Sequence, residues 1–221
     1  MVEIVLAGTV LRLLPQRCAY VPAARALLVA DAHLGKAHSF RRLGVPVPEG
    51  PTEDTLARLE AAVAATGAEQ VIFLGDLLHS RHAQADTAAA PVTRWRARHA
   101  QLHLVLVRGN HDRHAGDPPP AWGVQAADEP LTLGALQLQH HPVPPATGRY
   151  AIAGHLHPAV RLGGRGRDHL RLPCFHFGAA LGVLPAFGDF TGGQLVQRTP
   201  GDRVFALAAG HVVEVPRPRA A

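Results

Sequence analysis

Apolar positions along this chain follow two rhythms: short runs rich in Val, Ile and Leu that read as strands, and spaced Leu and Val positions in Ala-rich stretches that read as helices. Val2–Leu6 and Val10–Leu14, on either side of Ala7-Gly8-Thr9, predict a hairpin, and Ala26–Ala30 a buried strand. Pro46, Pro48, Gly50 and Pro51 make a rigid surface connector leading to a helix start. There Thr52 suits the cap, Glu53 and Asp54 suit the positive end, and Leu56, Leu59 and Val63 line one face until Gly67 ends the helix. Val71–Leu74 predicts a strand, residues 86–99 a helix, and residues 102–107 a further strand.

Strands alternating with helices imply parallel pairing through crossover helices. Beyond the exposed turn Pro118-Pro119-Pro120 the rhythm becomes purely β, with Leu131–Leu133 and Ala135–Leu138 about Gly134, then Tyr150–Ala153, then short runs out to Val215. These form a second sheet. The expectation is one α/β domain over residues 1–215, with a frayed tail at 216–221.

Composition narrows the class. At 221 residues with 47% hydrophobic and 18% charged residues, the chain can bury a sizeable core and is not generally disordered. Cys18 and Cys174 are far apart and outside any CxxC pattern, which excludes a disulfide framework and a cysteine zinc site and makes the cytoplasm the expected compartment. Met1-Val2-Glu3 opens without a basic, then apolar, secretory signal, and Gly, Pro, His or charges interrupt every apolar run before it could span a bilayer. A formal charge of +5 and a pI near 10.2 suit a polyanionic partner.

Residues with metal-binding chemistry recur at one place in the pattern, just after a predicted strand. Asp31 and His33 follow the first buried strand, Asp76 the second, and Asn110 and His111 the third; His140/His141 and His155/His157 follow two strands of the β-rich half. Open α/β sheets build their sites at these strand ends. If strand geometry continues through them, alternation puts Asp31 and His33 on one side, and likewise His155 and His157. Carboxylate, imidazole and amide oxygen together suit manganese, iron, zinc or cobalt better than calcium. Seven or more such groups exceed what one catalytic ion with a water position needs, and can serve two ions that share a carboxylate.

The ordered set Asp-x-His, Gly-Asp, Gly-Asn-His-Asp, His and Gly-His-x-His resembles the calcineurin-like metallophosphoesterases over roughly residues 26–160. Three longer pieces, Asp31-Ala32-His33-Leu34-Gly35-Lys36, Gly75-Asp76-Leu77-Leu78-His79-Ser80 and residues 184–193, resemble the bacterial ligase-associated DNA-damage-response subgroup. That resemblance implies a two-sheet α/β sandwich flanked by helices. It also implies a manganese-dependent endonuclease of DNA repair, linked with a helicase, a DNA ligase and an exonuclease, and acting on single-stranded or damaged DNA.

By the same resemblance Asp31, His33 and His157 hold a first divalent ion, Asp76 bridges both ions, and Asn110, His140 and His155 hold the second. His140 is preferred to His141 because the family's His-x-Pro pattern fits His140-His141-Pro142. His111 would protonate the leaving oxygen while a hydroxide between the ions attacks. Lys36, Arg41, Arg42, Arg108 and Arg113 flank these loops as candidate phosphate contacts, Lys36, Arg42 and Arg113 foremost. A phosphatase or pyrophosphatase acting on a small nucleotide or lipid precursor is the alternative. His79 has either a supporting role near Asp76 or a structural one, Asp112 has no assigned role, and Trp95 and Trp122 are expected in the core.

Overall fold

The computed structural model describes residues 1–46, 50–80, 86–146, 148–163, 169–189 and 191–216, without the side chains of residues 42 and 86–88. Most of the expected tail, and the middle of the Pro-rich connector, lie outside the described residues.

The first sheet runs in chain order, β1 (Val2–Leu6), β2 (Thr9–Leu14), β3 (Cys18–Val21), β4 (Ala26–Val29), β5 (Gln70–Leu74), β6 (His103–Val107) and β7 (Val124–Ala127). Pairing is antiparallel as far as β4 and parallel from β4 to β7. Helices α1 (Lys36–Arg42), α2 (Pro51–Thr66), α3 (Asp86–Arg98) and α4 (Asn110–Ala115) all fall within this half.

The second sheet contains β8 (Leu131–Leu133), β9 (Leu136–Leu138), β10 (Tyr150–Ala153), β11 (Pro158–Gly163), β12 (His169–Phe177), β13 (Leu181–Val183) and β14 (Gln194–Leu195). Its order is β14-β11-β12-β13-β10-β9-β8, with β15 (Arg203–Ala208) on β12 and β16 (His211–Val215) beyond it. Parallel pairs flank β10, which aims it and β9 the same way.

The period-two alternation of β-strands divides the buried residues between two layers. Leu27, Val29, Val71, Phe73, Leu104 and Leu106 face the helices, where Leu56, Leu59, Ala62, Val92, Trp95 and Trp122 cover them. Ala26, Leu28, Ile72, Leu74 and Val107 face the other way and meet Leu136, Leu138, Ile152, Phe175, Phe177 and Phe205 of the second sheet. The two sheets therefore share a core, as a sandwich requires. On the far face of the second sheet, Val160, Cys174, Val204, Ala206 and Val215 form a smaller cluster.

The pattern missed some elements. β3 is buried at every position, so Cys18–Val21 carries no alternation, and Val124-Gln125-Ala126-Ala127 has weak β-propensity and is held by pairing with β6. Thr52 is not the cap of α2. Gly50 occupies that position with Pro51 in the first turn, where proline's missing N–H costs nothing. Gly67 ends the helix as expected, in a left-handed conformation, with its N–H on the Val63 carbonyl.

Candidate metal centre

The rim of the sandwich is built by residues that leave β4, β5, β6, β9 and β10. Strand geometry does not continue through them: φ is 53° at Asp31, 45° at His33, 50° at Asp76, 72° at His155 and 48° at His157. A non-glycine residue held there costs on the order of 1–3 kcal/mol, and such positions cluster at functional sites. These sharp left-handed turns, rather than pleat alternation, converge the side chains, which corrects the expectation for both Asp-x-His and His-x-His.

Neighbouring loops lock the turns together. The Asp31 and His33 amides donate to the Gly75 and Asp76 carbonyls, and the His155 amide donates to Asp31 Oδ2 at 2.9 Å. The His111 amide donates to Asp76 Oδ1 at 2.9 Å. Close approach leaves no room for extra atoms. A Cβ on Gly154 would lie 2.7 Å from Asp31 Oδ2, and one on Gly188 would collide with the Ala32 carbonyl oxygen. Gly188 belongs to the segment Leu184–Asp189, whose Phe187 and Gly188 amides donate to the Ala30 and Asp31 carbonyls. The late motif thus buttresses the first loop.

Among the described residues four overlapping groups of ligand-type atoms result: His33, His79 and His111; His140, His141 and His155; and two that combine carboxylates with imidazoles. Asp31, His33 and His157 lie together, with His33 Nε2 3.3 Å from His157 Nε2 and His157 Nε2 3.5 Å from Asp31 Oδ1. Asp31, Asp76 and His140 form a wholly buried second group, adjoined by His155, whose Nδ1 is 3.0 Å from His140 Nε2. Asn110 Oδ1 is 2.9 Å from His140 Nε2. All seven expected ligands are therefore assembled on one rim.

Two of the imidazoles, His140 and His157, are oriented as metal ligands usually are, with Nδ1 engaged by a backbone carbonyl and Nε2 turned to the centre, whereas His33 Nδ1 is buried without a partner among the described residues. His140 Nδ1 donates to the Leu74 carbonyl at 3.0 Å, leaving Nε2 as a lone pair 3.5 Å from Asp76 Oδ1. His157 Nδ1 donates to the Thr191 carbonyl at 2.8 Å. Lone pairs turned toward carboxylate oxygens repel unless a proton or a cation lies among them. The donor set fits divalent cations on this ground.

Protonation follows the same logic. Burial, with nearby Lys36 and His157, brings His33 down to about 2, and burial also lowers His140 and His155, so these rings stay neutral and able to ligate. Burial raises Asp76. At His157 burial works downward, but the Asp31 carboxylate outweighs it and raises the ring's pKa.

His141 turns to Glu129. The Glu129 carboxylate accepts from the His140 and His141 amides at 2.9 and 3.0 Å and from His141 Nδ1 at 2.6 Å. His140 is fully buried and His141 half-exposed. Glu129 was not singled out in the sequence, where an acid before Pro130 carries no signal of its own.

His111 sits at the edge of the centre with its side chain 39% exposed and Nε2 4.0 Å from Asp76 Oδ2. Its Nδ1 donates to the His79 carbonyl at 3.1 Å, and the two rings stack at 5.2 Å. His79 therefore belongs to the site, within reach of both His33 and His111. Asp112 is buried and accepts from the Gly109 amide at 2.9 Å and the Leu78 amide at 3.1 Å, tying the second loop to the third. Gly109-Asn110-His111-Asp112 thus opens the short helix α4.

Of the basic candidates, Lys36 lies half-buried at the start of α1, with its amine over the Phe40 ring at 5.7 Å. Arg113 is exposed, 4.0 Å from Asp128, and Arg108 is held by Asp117 at 2.7 Å and Asp128 at 3.3 Å. The side chain of Arg42 lies outside the described residues. Trp95 and Trp122 are core residues, as expected.

A two-sheet sandwich carrying this rim has a known counterpart: residues 24–178 match the sequence profile of the calcineurin-like phosphoesterases, and the chain belongs to that family. It is a metal-dependent phosphoesterase. Its particular likeness is to Pseudomonas putida nuclease MPE, whose crystal structure is 45% identical and superposes with a TM-score of 0.85, covering 97% of this chain and 99% of that one. Slighter likenesses are to the protein of unknown function AQ665 from Aquifex aeolicus and to Yfce, a phosphoesterase from E. coli. Each is 16% identical, covering 64% and 86% of this chain and 82% and 97% of the other, with TM-scores of 0.39 and 0.43. No curated protein sequence matches the chain significantly. Among the described residues no helix is long and apolar enough to cross a membrane.

Proposed function

We propose that this chain is a two-metal phosphodiesterase that cuts DNA internally, on single-stranded or damaged stretches, in DNA repair. The observation that carries the reading is the buried pair Asp31 and Asp76, faced by lone pairs of His140 and His157 that only a proton or cation can reconcile. Identity of 45% with a nuclease over 97% of the chain supports a nucleic acid substrate.

Asp31, His33 and His157 would hold one cation, Asn110, His140 and His155 the other, and Asp76 both; this oxygen–nitrogen set suits manganese, iron, zinc or cobalt, and the subgroup resemblance selects manganese among them. A bound pair of such ions supplies an acidified water and neutralises charge on an in-line phosphoryl transition state. The chain itself contributes the proton. With Nδ1 anchored on the His79 carbonyl, protonated His111 presents Nε2–H at the exposed rim, where a leaving alkoxide needs it. Stacking on His79 keeps the ring from swinging away. The rest of the reading is one catalytic domain working in the cytoplasm, alongside a helicase, a ligase and an exonuclease.

The test is direct. Manganese-loaded protein is given linear and circular single-stranded DNA, mononucleotides and a simple diester, with Asp76→Ala as the control. Cleavage of circular DNA, absent in the control, is expected; intact DNA beside efficient hydrolysis of a nucleotide or monoester would replace the nuclease with a small-molecule phosphatase.

A further inference from the structure

Beside His157 a cleft of about 370 Å³ opens between the loop carrying Gly188 and Asp189 and the strands β11 and β12. Arg17, Ala159, Arg171 and Pro173 line it with them. Its acid is already neutralised: Asp189 is clamped by Arg17 at 2.8 Å and Arg58 at 2.9 Å, which leaves the wall net positive.

The neighbouring strands add an unusual pair. In the β11–β12 register Arg161 stands directly opposite Arg171, and among the described residues neither has a hydrogen bond or an acidic partner. Both are exposed. Like charges opposed across a sheet destabilise it, and an anion set between them reverses the sign of that interaction. The next same-face pair toward the catalytic rim, Ala159 opposite Pro173, is small and apolar and lines the cleft. From the start of β11 to Arg161 the strand rises about 10 Å, too far for one phosphate to touch both His157 and the arginine pair.

We propose that this face is a strand-tracking subsite. Arg161 and Arg171 hold a backbone phosphate of the polynucleotide outside the scissile one, the intervening sugar lies over Ala159 and Pro173, and Arg17 borders the path. Planar guanidinium forks suit such an arrangement because they can grip a phosphate through two parallel hydrogen bonds. The subsite rests on the nuclease reading and gives it a length requirement, since only a substrate extending past the cut reaches the pair.

The experiment measures binding of a labelled oligothymidylate across a salt series, under chelation so that nothing is cut. For Arg161→Ala/Arg171→Ala the slope of log affinity against log salt should become shallower by about 0.7 for each phosphate that the variant no longer neutralises. The lysine double variant should recover most of that slope, and Arg94→Ala, an exposed arginine on α3, should keep the wild-type slope. Removing two arginines opposed across the strands should leave the melting temperature no lower than wild type. A double alanine variant with the wild-type slope, an equal change of slope in Arg94→Ala, or a lowered melting point indicating a structural role would each overturn the subsite. Failure of the nuclease reading looks different, because wild type with manganese would then leave DNA uncut whatever the salt series gives.

Discussion

His111 and Asp112 are adjacent in sequence and do different things. His111 is bound to the site through one nitrogen and leaves the other at the exposed rim, so its removal should spare the cations. His111→Ala is expected to lose on the order of 10²–10⁴-fold in turnover of diesters with poor leaving groups, far less on an activated aryl diester, and to retain its manganese by metal analysis. Metal loss in step with activity would make His111 a ligand instead. Asp112 satisfies two backbone donors between loops. Asp112→Ala orphans both, at about 1–3 kcal/mol each, and should lower the melting temperature by several degrees, read by calorimetry.

Among the elements, β12 and β15 are stitched by one buried carboxylate. Asp202 accepts from the Thr199 amide and hydroxyl at 2.8 and 2.9 Å and from His176 Nε2 at 2.8 Å, closing the turn that launches β15. Burial alone would raise its pKa, but those donors outweigh it and hold the carboxyl below its usual range. A depressed folded pKa stabilises fully above the unfolded value of about 4, and the benefit disappears as pH falls through the lower folded value. Asp202→Asn is therefore expected to be less stable than wild type at pH 7, with the gap narrowing below about pH 4 in denaturant titrations. A gap independent of pH would mean that shape, not charge, holds the turn.

For the whole molecule, the candidate ligands come from five loops spread over both sheets, so a cation bound there ties the sandwich together. It binds the folded chain and has no equivalent in the unfolded one. Manganese at about 100 times its dissociation constant should add about 2.7 kcal/mol and raise the melting temperature by about 5–10 °C. Asp76→Ala should abolish that shift, and His111→Ala should keep it. A wild-type melting point indifferent to manganese and to chelator would remove the metal centre as it is drawn.

Hydrophobic rhythm alone determined the crossover strands β4, β5 and β6, the helices α2 and α3 and the position of every candidate ligand after a strand, because period-two and helical burial leave a local trace. The pairing of Asp31 with His157 and of Asp76 with His140 was legible only through the ordered motif set. The tertiary structure decided the rest. Short, wholly buried or weakly β-prone strands such as β3 and β7 have no alternation to read and exist because a neighbour pairs with them. Left-handed turns at Asp31, His33, Asp76, His155 and His157 converge the ligands because the loops hydrogen-bond one another, which no single stretch encodes. The roles of Glu129, His79 and Asp112, the turning of His140 inward and His141 outward, and the facing arginines of β11 and β12 likewise depend on partners distant in sequence. A side chain's chemistry can be read along the chain, but its partner is supplied by the packing of the sheets.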